Sequence, residues 1–172
     1  MKLTSLLTIS AAAVASVSAF AIDLNGQVPF ADLGEEIPGG SHIQHCSNPR
    51  TDKVEIKRVC LEPYPPVPGG VLHFEAEGII KERIEEGAYI RVDVIYNKYI
   101  RLIRNQKFDF CENVKKAEAD VECPIEEGPL NITKDVELPK EIPPGTFIVT
   151  AYLHKKDDSL ITCLHTVVSF KR

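Results

Sequence analysis

The chain has 172 residues, 20 Lys and Arg against 25 Asp and Glu for a net charge of −5, and no tryptophan. That balance leaves no basic stripe of the kind a nucleic-acid-binding surface needs. Beyond the first 21 residues no run approaches the roughly 18 apolar residues of a membrane-spanning helix.

Met1 and Lys2 precede a small, apolar run over residues 6–15 and then Ser18-Ala19-Phe20-Ala21. A positive start, a short apolar stretch and a small-x-small ending predict a secretory signal peptide over 1–21, removed from a soluble mature chain. Residues 22–43 hold Asp23, Gly26, Asp32, Glu35, Glu36, Gly39 and Gly40 with few large apolar side chains. They are expected to form a disordered arm or propeptide. The remaining 44–172, roughly 130 residues, are the usual size of one domain with its own core.

Five cysteines, Cys46, Cys60, Cys111, Cys123 and Cys163, follow that leader. In the oxidising compartment the leader implies, pairing is expected, and the odd number leaves at least one cysteine over. Cys111 and Cys123 flank a short polar loop, whereas Cys46 and Cys163 stand at the two ends of the domain. By chain entropy, closing the short loop would contribute about 3 kcal/mol and the long one nearly 5. Cys60, within the apolar pattern Val54, Ile56, Val59 and Leu61, is then expected to be buried as a small hydrophobe.

From residue 50 onward, proline and glycine punctuate short β-branched and aromatic runs, which is the rhythm of strands. Leu72, Phe74 and Ala76 alternate with His73, Glu75 and Glu77; Ile90, Val92 and Val94 alternate with Tyr89, Arg91 and Asp93. Period two marks strands with one buried face. Asn97-Lys98 turns the chain into Ile100 and Leu102, and a weak helical pattern covers 112–119. Phe147, Val149 and Ala151 share a face in the next strand, and Leu164, Val168 and Phe170 in the last. The pattern predicts an all-β, immunoglobulin-like sandwich of two antiparallel sheets with about seven strands.

Reactive chemistry is sparse. His42-x-x-His45-Cys46 has metal-ligand residue types, but Cys46 is better used in a disulfide, so no metal site is assigned. His73, His154 and His165 are scattered among strands, no serine or cysteine has a base and an orienting acid nearby, and no catalytic residue or cofactor is expected. Asn131-Ile132-Thr133 is a sequon, which makes Asn131 a candidate glycosylation site. Lys98, Arg101, Arg104 and Lys107 gather in one hairpin, where they could meet anionic phosphates or simply form a solvated face.

Several marks fall in one order: Cys46-Ser47, the proline run over 63–69, Gly87-Ala88-Tyr89, Asp109-Phe110-Cys111-Glu112, Cys123-Pro124-Ile125-x-x-Gly128, Leu138-Pro139-x-x-Ile142-Pro143-Pro144-Gly145 and Ile161-Thr162-Cys163. This string, from about residue 43 to 172, resembles the ML lipid-recognition domain family. It is most similar to the family's fungal branch, the phosphatidylglycerol/phosphatidylinositol transfer proteins, relatives of the Niemann-Pick type C sterol carrier. The resemblance implies Cys46–Cys163 and Cys111–Cys123 disulfides and a lipid cavity between the sheets. The animal carriers' small early disulfide loop is replaced here by Leu61-Glu62-Pro63-Tyr64-Pro65-Pro66, which leaves Cys60 without a partner.

The resemblance also turns inward-facing residues into lipid-lining candidates: Leu72, Phe74, Ala76, Ile90, Val92, Val94, Ile100, Leu102, Phe147, Val149, Leu164, Val168 and Phe170. Periodicity by itself makes them plain core. Ile142 and Pro143 are implied at the cavity mouth. The expected function is a monomeric, secreted or vacuole-type luminal protein that carries a phospholipid or sterol and touches membrane surfaces transiently. An immunoglobulin-like protein-interaction or lipid-presenting accessory module, with a solid core or without transfer, and a small secreted hydrolase are the competing expectations.

Overall fold

The structure is a computed structural model and describes residues 34–116 and 121–171. The expected signal peptide over 1–21 and most of the expected arm lie outside the described residues. Eight strands are present: β1 (Ile43–His45), β2 (Val54–Glu62), β3 (Val71–Ile80), β4 (Tyr89–Tyr96), β5 (Ile100–Asp109), β6 (Gly128–Glu137), β7 (Gly145–His154) and β8 (Leu160–Phe170). One sheet runs β1-β8-β7-β4-β5 and the other β2-β3-β6, all pairs antiparallel. The all-β, two-sheet expectation holds. Sequence periodicity had left out β1, which is three residues long, and β6, whose alternation is broken by a lysine.

Register separates an apolar face from a polar one in each sheet. In the larger sheet Ile90, Val92 and Val94 lie opposite Leu153, Ala151 and Val149, and Ala151 in turn lies opposite Leu164. The other face carries Tyr89, Arg91 and Asp93 beside His154, Tyr152 and Thr150. In the smaller sheet Leu72, Phe74 and Ala76 pair with Val136, Lys134 and Ile132 on one side, and Phe74 and Ala76 pair with Leu61 and Val59 on the other. A bulge between Ile56 and Arg58 shifts the register. It explains why Val54 and Ile56 at even positions share a face with Val59 and Leu61 at odd ones, since one extra residue reverses the alternation.

Cys60 therefore does not sit in the core. It faces outward across from Glu75, with its Sγ 3.7 Å from Glu62 Oε1. It is the free cysteine among the described residues, and the disulfides are Cys46–Cys163 and Cys111–Cys123 as the resemblance implied.

The expected arm ends sooner than residue 43. Gly34, Glu35 and Ile37 make backbone hydrogen bonds with the β1 segment, at 2.8 to 3.1 Å, while Pro38 O accepts from Val59 N on β2 at 2.8 Å. Ser41 Oγ donates to Val59 O and accepts from Leu61 N, and Ile37 is 2% exposed. A Cβ on Gly39 would stand 1.9 Å from Val59 O, so only glycine allows this approach. These few residues join an edge of the large sheet to an edge of the small one. They protect both edges and shut that side of the sandwich.

The closely packed part lies at one end. Val54, Ile80, Ile84, Ala88, Ile125 and Ile161 form one buried cluster, with Phe110, Leu130 and Leu153 packed on it. Beside Cys163, Asp52 is 5% exposed and accepts hydrogen bonds from Ser47 Oγ at 2.7 Å and Thr162 Oγ1 at 2.8 Å. Ser47 Oγ also accepts from Cys163 N at 2.8 Å, so the buried carboxylate is satisfied by donors that are themselves fixed. The helix α1 (Phe110–Lys116) starts with Glu112 N donating to Asp109 Oδ1 at 2.7 Å, an N-cap bond. It begins earlier than the sequence predicted, and 117–119 lie outside the described residues.

Candidate functional site

Away from the packed end, the apolar faces meet incompletely. Leu72, Phe74, Ala76, Ile90, Val92, Val94, Phe147, Val149, Leu164 and Phe170 are all only partly buried, although most occupy central strands. Val168, 8% exposed, and Val59, 3% exposed, are the exceptions on these faces. A solid sandwich interdigitates its two inner faces and leaves such residues inaccessible. Partial exposure on an inward face means the two layers stand apart there.

The gap is visible as a cleft of about 230 Å³ bordered by Phe74, Ile132, Lys134 and Val136 of the small sheet, Ile90 of the large one, and Phe110, Asn113 and Val114 of α1. It opens between β6 and the edge formed by β5 and α1, the side opposite the one that residues 34–42 shut. Aromatic rings line the neighbouring part of the larger sheet: Phe147 lies 5.0 Å from Tyr96 and 5.4 Å from Phe170 between centroids. Sequence reasoning placed Phe74 and Ile90 here but missed Phe110, Asn113, Val114, Ile132, Lys134 and Val136. The alternation of Leu130, Ile132 and Val136 with the polar Asn131, Thr133, Asp135 and Glu137 was the available signal.

Ile100 and Leu102 stand on the edge strand β5 and are 53% and 51% exposed, so they are rim residues. Two register shifts between β4 and β5 displace this strand from simple alternation. Ile142 and Pro143 belong to the β6–β7 connection; Ile142 is half-buried and Pro143 exposed. That connection approaches the β4–β5 turn, where Tyr96 Oη donates to Pro144 O at 2.7 Å and Asn97 N to Thr146 O at 2.8 Å.

The basic hairpin does not face the cleft. Lys107 pairs with Asp158 at 3.6 Å and lies over the Tyr89 ring, and Arg101 and Arg104 border a separate depression with Asp93, Thr150 and Tyr152 on the outer face. Two larger depressions, about 440 and 510 Å³, are walled mainly by charged side chains such as Glu82, Arg83, Glu86, Glu112 and Lys156. There Glu82 is held below the usual carboxylate range by hydrogen bonds from Lys155 and Lys53. Asp158 is likewise lowered, first by Tyr89 and then by Lys107. These are solvated ion pairs.

The histidines remain dispersed. His73 pairs with Asp135, His154 stacks on Tyr89, and His165 Nδ1 lies 3.1 Å from Thr150 Oγ1. His42 pairs with exposed Glu36, and Cys46 is consumed by its disulfide. Among the described residues no cluster of His, Cys, Asp and Glu could hold a metal ion. Ser47, Asp52 and His45 come together, but the hydroxyl donates to the carboxylate and all three are buried, which is a structural arrangement.

Two unequal antiparallel sheets, packed at one end and parted over an apolar cleft at the other, define an immunoglobulin-like sandwich of the cavity-bearing kind. The chain belongs to the ML domain family, whose model matches residues 40–170. It is 45% identical to a phosphatidylglycerol/phosphatidylinositol transfer protein of Neurospora crassa, over 95% of this chain and 94% of that one. A protein of the same name from Pyricularia oryzae is 46% identical over 85% of this chain and 81% of its own. Among solved structures, chicken MD-1 complexed with lipid IVa shares the fold, with a TM-score of 0.53 at 20% identity, over 74% of this chain and 87% of that one. Disulfides and family together place the protein in a secreted or luminal setting.

Proposed function

We propose that this protein carries a phospholipid, of the phosphatidylglycerol or phosphatidylinositol class, or a sterol between membranes, with the apolar part held between its sheets. The observation that carries the proposal is the partial exposure of inward apolar side chains in central strands. The names of the fungal relatives supply the lipid class. A diacyl lipid crossing water exposes on the order of 30 methylenes at about 0.8 kcal/mol each, roughly 20 kcal/mol in all. A carrier lowers that barrier by offering apolar walls for the transit, and no bond needs to be made or broken.

The cleft of about 230 Å³ is smaller than the roughly 300–1,000 Å³ of ordinary small-ligand sites, so loading requires the sheets to part further. The packed end and the 34–42 segment act as the hinge side, and β6 moves away from β5 and α1. Eleven of the thirteen residues named from the sequence form the wall in this mechanism, and Ile100 and Leu102 on the exposed rim, with Ile142 and Pro143 at the end loops, form the mouth. The protein works as a monomer in a vacuole-type lumen or outside the cell and touches the bilayer only while exchanging lipid. Asn131 is exposed on the outward face of β6, across from Glu77, where a glycan would leave the cleft free.

Native mass spectrometry before and after mixing with vesicles of phosphatidylglycerol, phosphatidylcholine or sterol tests the proposal, together with transfer of a fluorescent lipid between vesicles. One lipid bound per chain and accelerated transfer are expected. A protein that stays lipid-free with every vesicle is an interaction module, and the carrier reading is then wrong.

A further inference from the structure

Strand β5 breaks its pairing with β4 twice, between Val92 and Val94 and again between Val94 and Ile95. At the first break Arg104 and Asn105 together face the single residue Asp93. Asn105 takes a left-handed φ of 51°, and its N donates to Asp93 Oδ1 at 2.9 Å. This is a β-bulge, a device that re-aims side chains and is common beside functional sites. Arg101 and Arg104 are an odd number of residues apart, a spacing that in a regular strand puts side chains on opposite faces. The bulge instead brings both to one depression of about 300 Å³ on the outer face of the large sheet, with Asp93, Asn105, Thr150 and Tyr152 around it.

Neither arginine has an acidic partner among the described residues. The other groups of the depression are fixed in place. Asp93 is held by the Asn105 amide, Thr150 Oγ1 lies 3.1 Å from His165 Nδ1, and one side of the Tyr152 ring is covered by Arg91, 4.1 Å from its centroid. Arg91 Nε is itself buried with no acceptor among the described residues, where a buried donor is ordinarily satisfied.

We infer that this depression binds a small soluble ligand made of one hydroxylated ring that bears a phosphate or sulfate group, a sugar phosphate in its simplest form. Two guanidinium groups offer forked donors that match the oxygens of such a group, in contacts stronger than neutral hydrogen bonds. Asp93 disfavours a bare anion but accepts from ring hydroxyls, and the Asn105 amide and Thr150 hydroxyl can do either. The Tyr152 ring supplies a flat apolar wall for the ligand's C–H groups. The volume lies at the lower end of the roughly 300–1,000 Å³ of small-ligand sites, which suits a single ring and not a chain. The depression is on the face of the sheet opposite the one that borders the lipid cleft, so the inference stands apart from the carrier reading.

A bulge and basic side chains on an edge strand have another use, which is to prevent edge-to-edge association. The two roles differ in what Arg101→Gln and Arg104→Gln change. Titration calorimetry of the full chain compares glucose 6-phosphate with glucose and with inorganic phosphate. Glucose 6-phosphate should bind at least about tenfold more tightly than either, because it alone engages both halves of the site. Each arginine variant should weaken it by about tenfold, the size of one charge-assisted hydrogen bond, whereas Lys156→Gln in the β7–β8 turn should leave it unchanged. Variants that bind as wild type does, with or without a gain in oligomers, overturn the site. Equal binding of inorganic phosphate also overturns it, since the ring would then contribute nothing.

Amide chemical shifts of the wild-type protein provide a check that does not depend on a variant folding. With glucose 6-phosphate they should move at Asp93, Asn105 and Thr150 and stay fixed at the inward residues Phe74 and Ile132. Shifts spread evenly over the basic residues of the surface refute the assignment. Vesicles of phosphatidylinositol separate the remaining source of the same chemistry. If they bind through Arg101 and Arg104 while glucose 6-phosphate does not, the patch is a membrane contact and the soluble-ligand site is wrong.

Discussion

Val92 and Ala151 lie directly opposite one another on the inward face of β4 and β7, in the middle of the five-stranded sheet, and neither is buried. Strands cover both flanks of this pair, so its exposure comes from the space in front of it. Val92→Glu places a carboxylate in that space. The variant should fold with a loss of about 1–3 kcal/mol, since the new charge can still reach water, and should lose at least about tenfold in lipid loading. Thermal melts and native mass spectrometry read the two effects separately. Equal loading by variant and wild type would show that the apolar face is not the binding face.

The two disulfides should differ in what they support. Cys46–Cys163 closes a separation of 117 residues and Cys111–Cys123 one of 12. Chain entropy gives about 5 kcal/mol for the first and about 3 for the second, so replacing the first pair by alanine should cost more in urea midpoint. Cys111 belongs to α1, whose Phe110, Asn113 and Val114 border the cleft. Replacing Cys111 and Cys123 should therefore reduce lipid loading beyond its smaller stability cost. A larger stability loss from the short loop would contradict the entropic account.

These contrasts show why some features were legible in the sequence and others were not. Strands β3, β4, β7 and β8 alternate cleanly because each keeps one apolar face, and the register puts the apolar residues read from period two on a common side of each sheet. The bulge at Ile56 and Arg58 hides the same information in β2, since it reverses parity within one strand and makes Cys60 look inward. In β6 the inward position of Lys134 breaks the apolar series, so a strand that walls the cleft reads as a polar segment. Ile37 is a single apolar residue among glycines and acids, and its burial depends on backbone bonds to β1 and β2 that no local pattern encodes. The openness of the sandwich is invisible to periodicity, because a cavity wall and a packed core have the same alternation.

His73 and Asp135 face each other across β3 and β6, with Nδ1 and Oδ1 2.6 Å apart, on the outward side of the sheet whose other face borders the cleft. The histidine pKa is raised above 6.5 chiefly by this hydrogen bond, with Asp135, Glu75 and Glu62 adding attraction and burial opposing. A raised folded-state pKa stabilises the folded chain fully below the unfolded value, and the benefit fades as pH rises through the folded value. The melting-temperature advantage of wild type over His73→Gln should then be largest at about pH 5.5 and shrink toward about pH 8. An advantage that grows with rising pH would have the wrong sign.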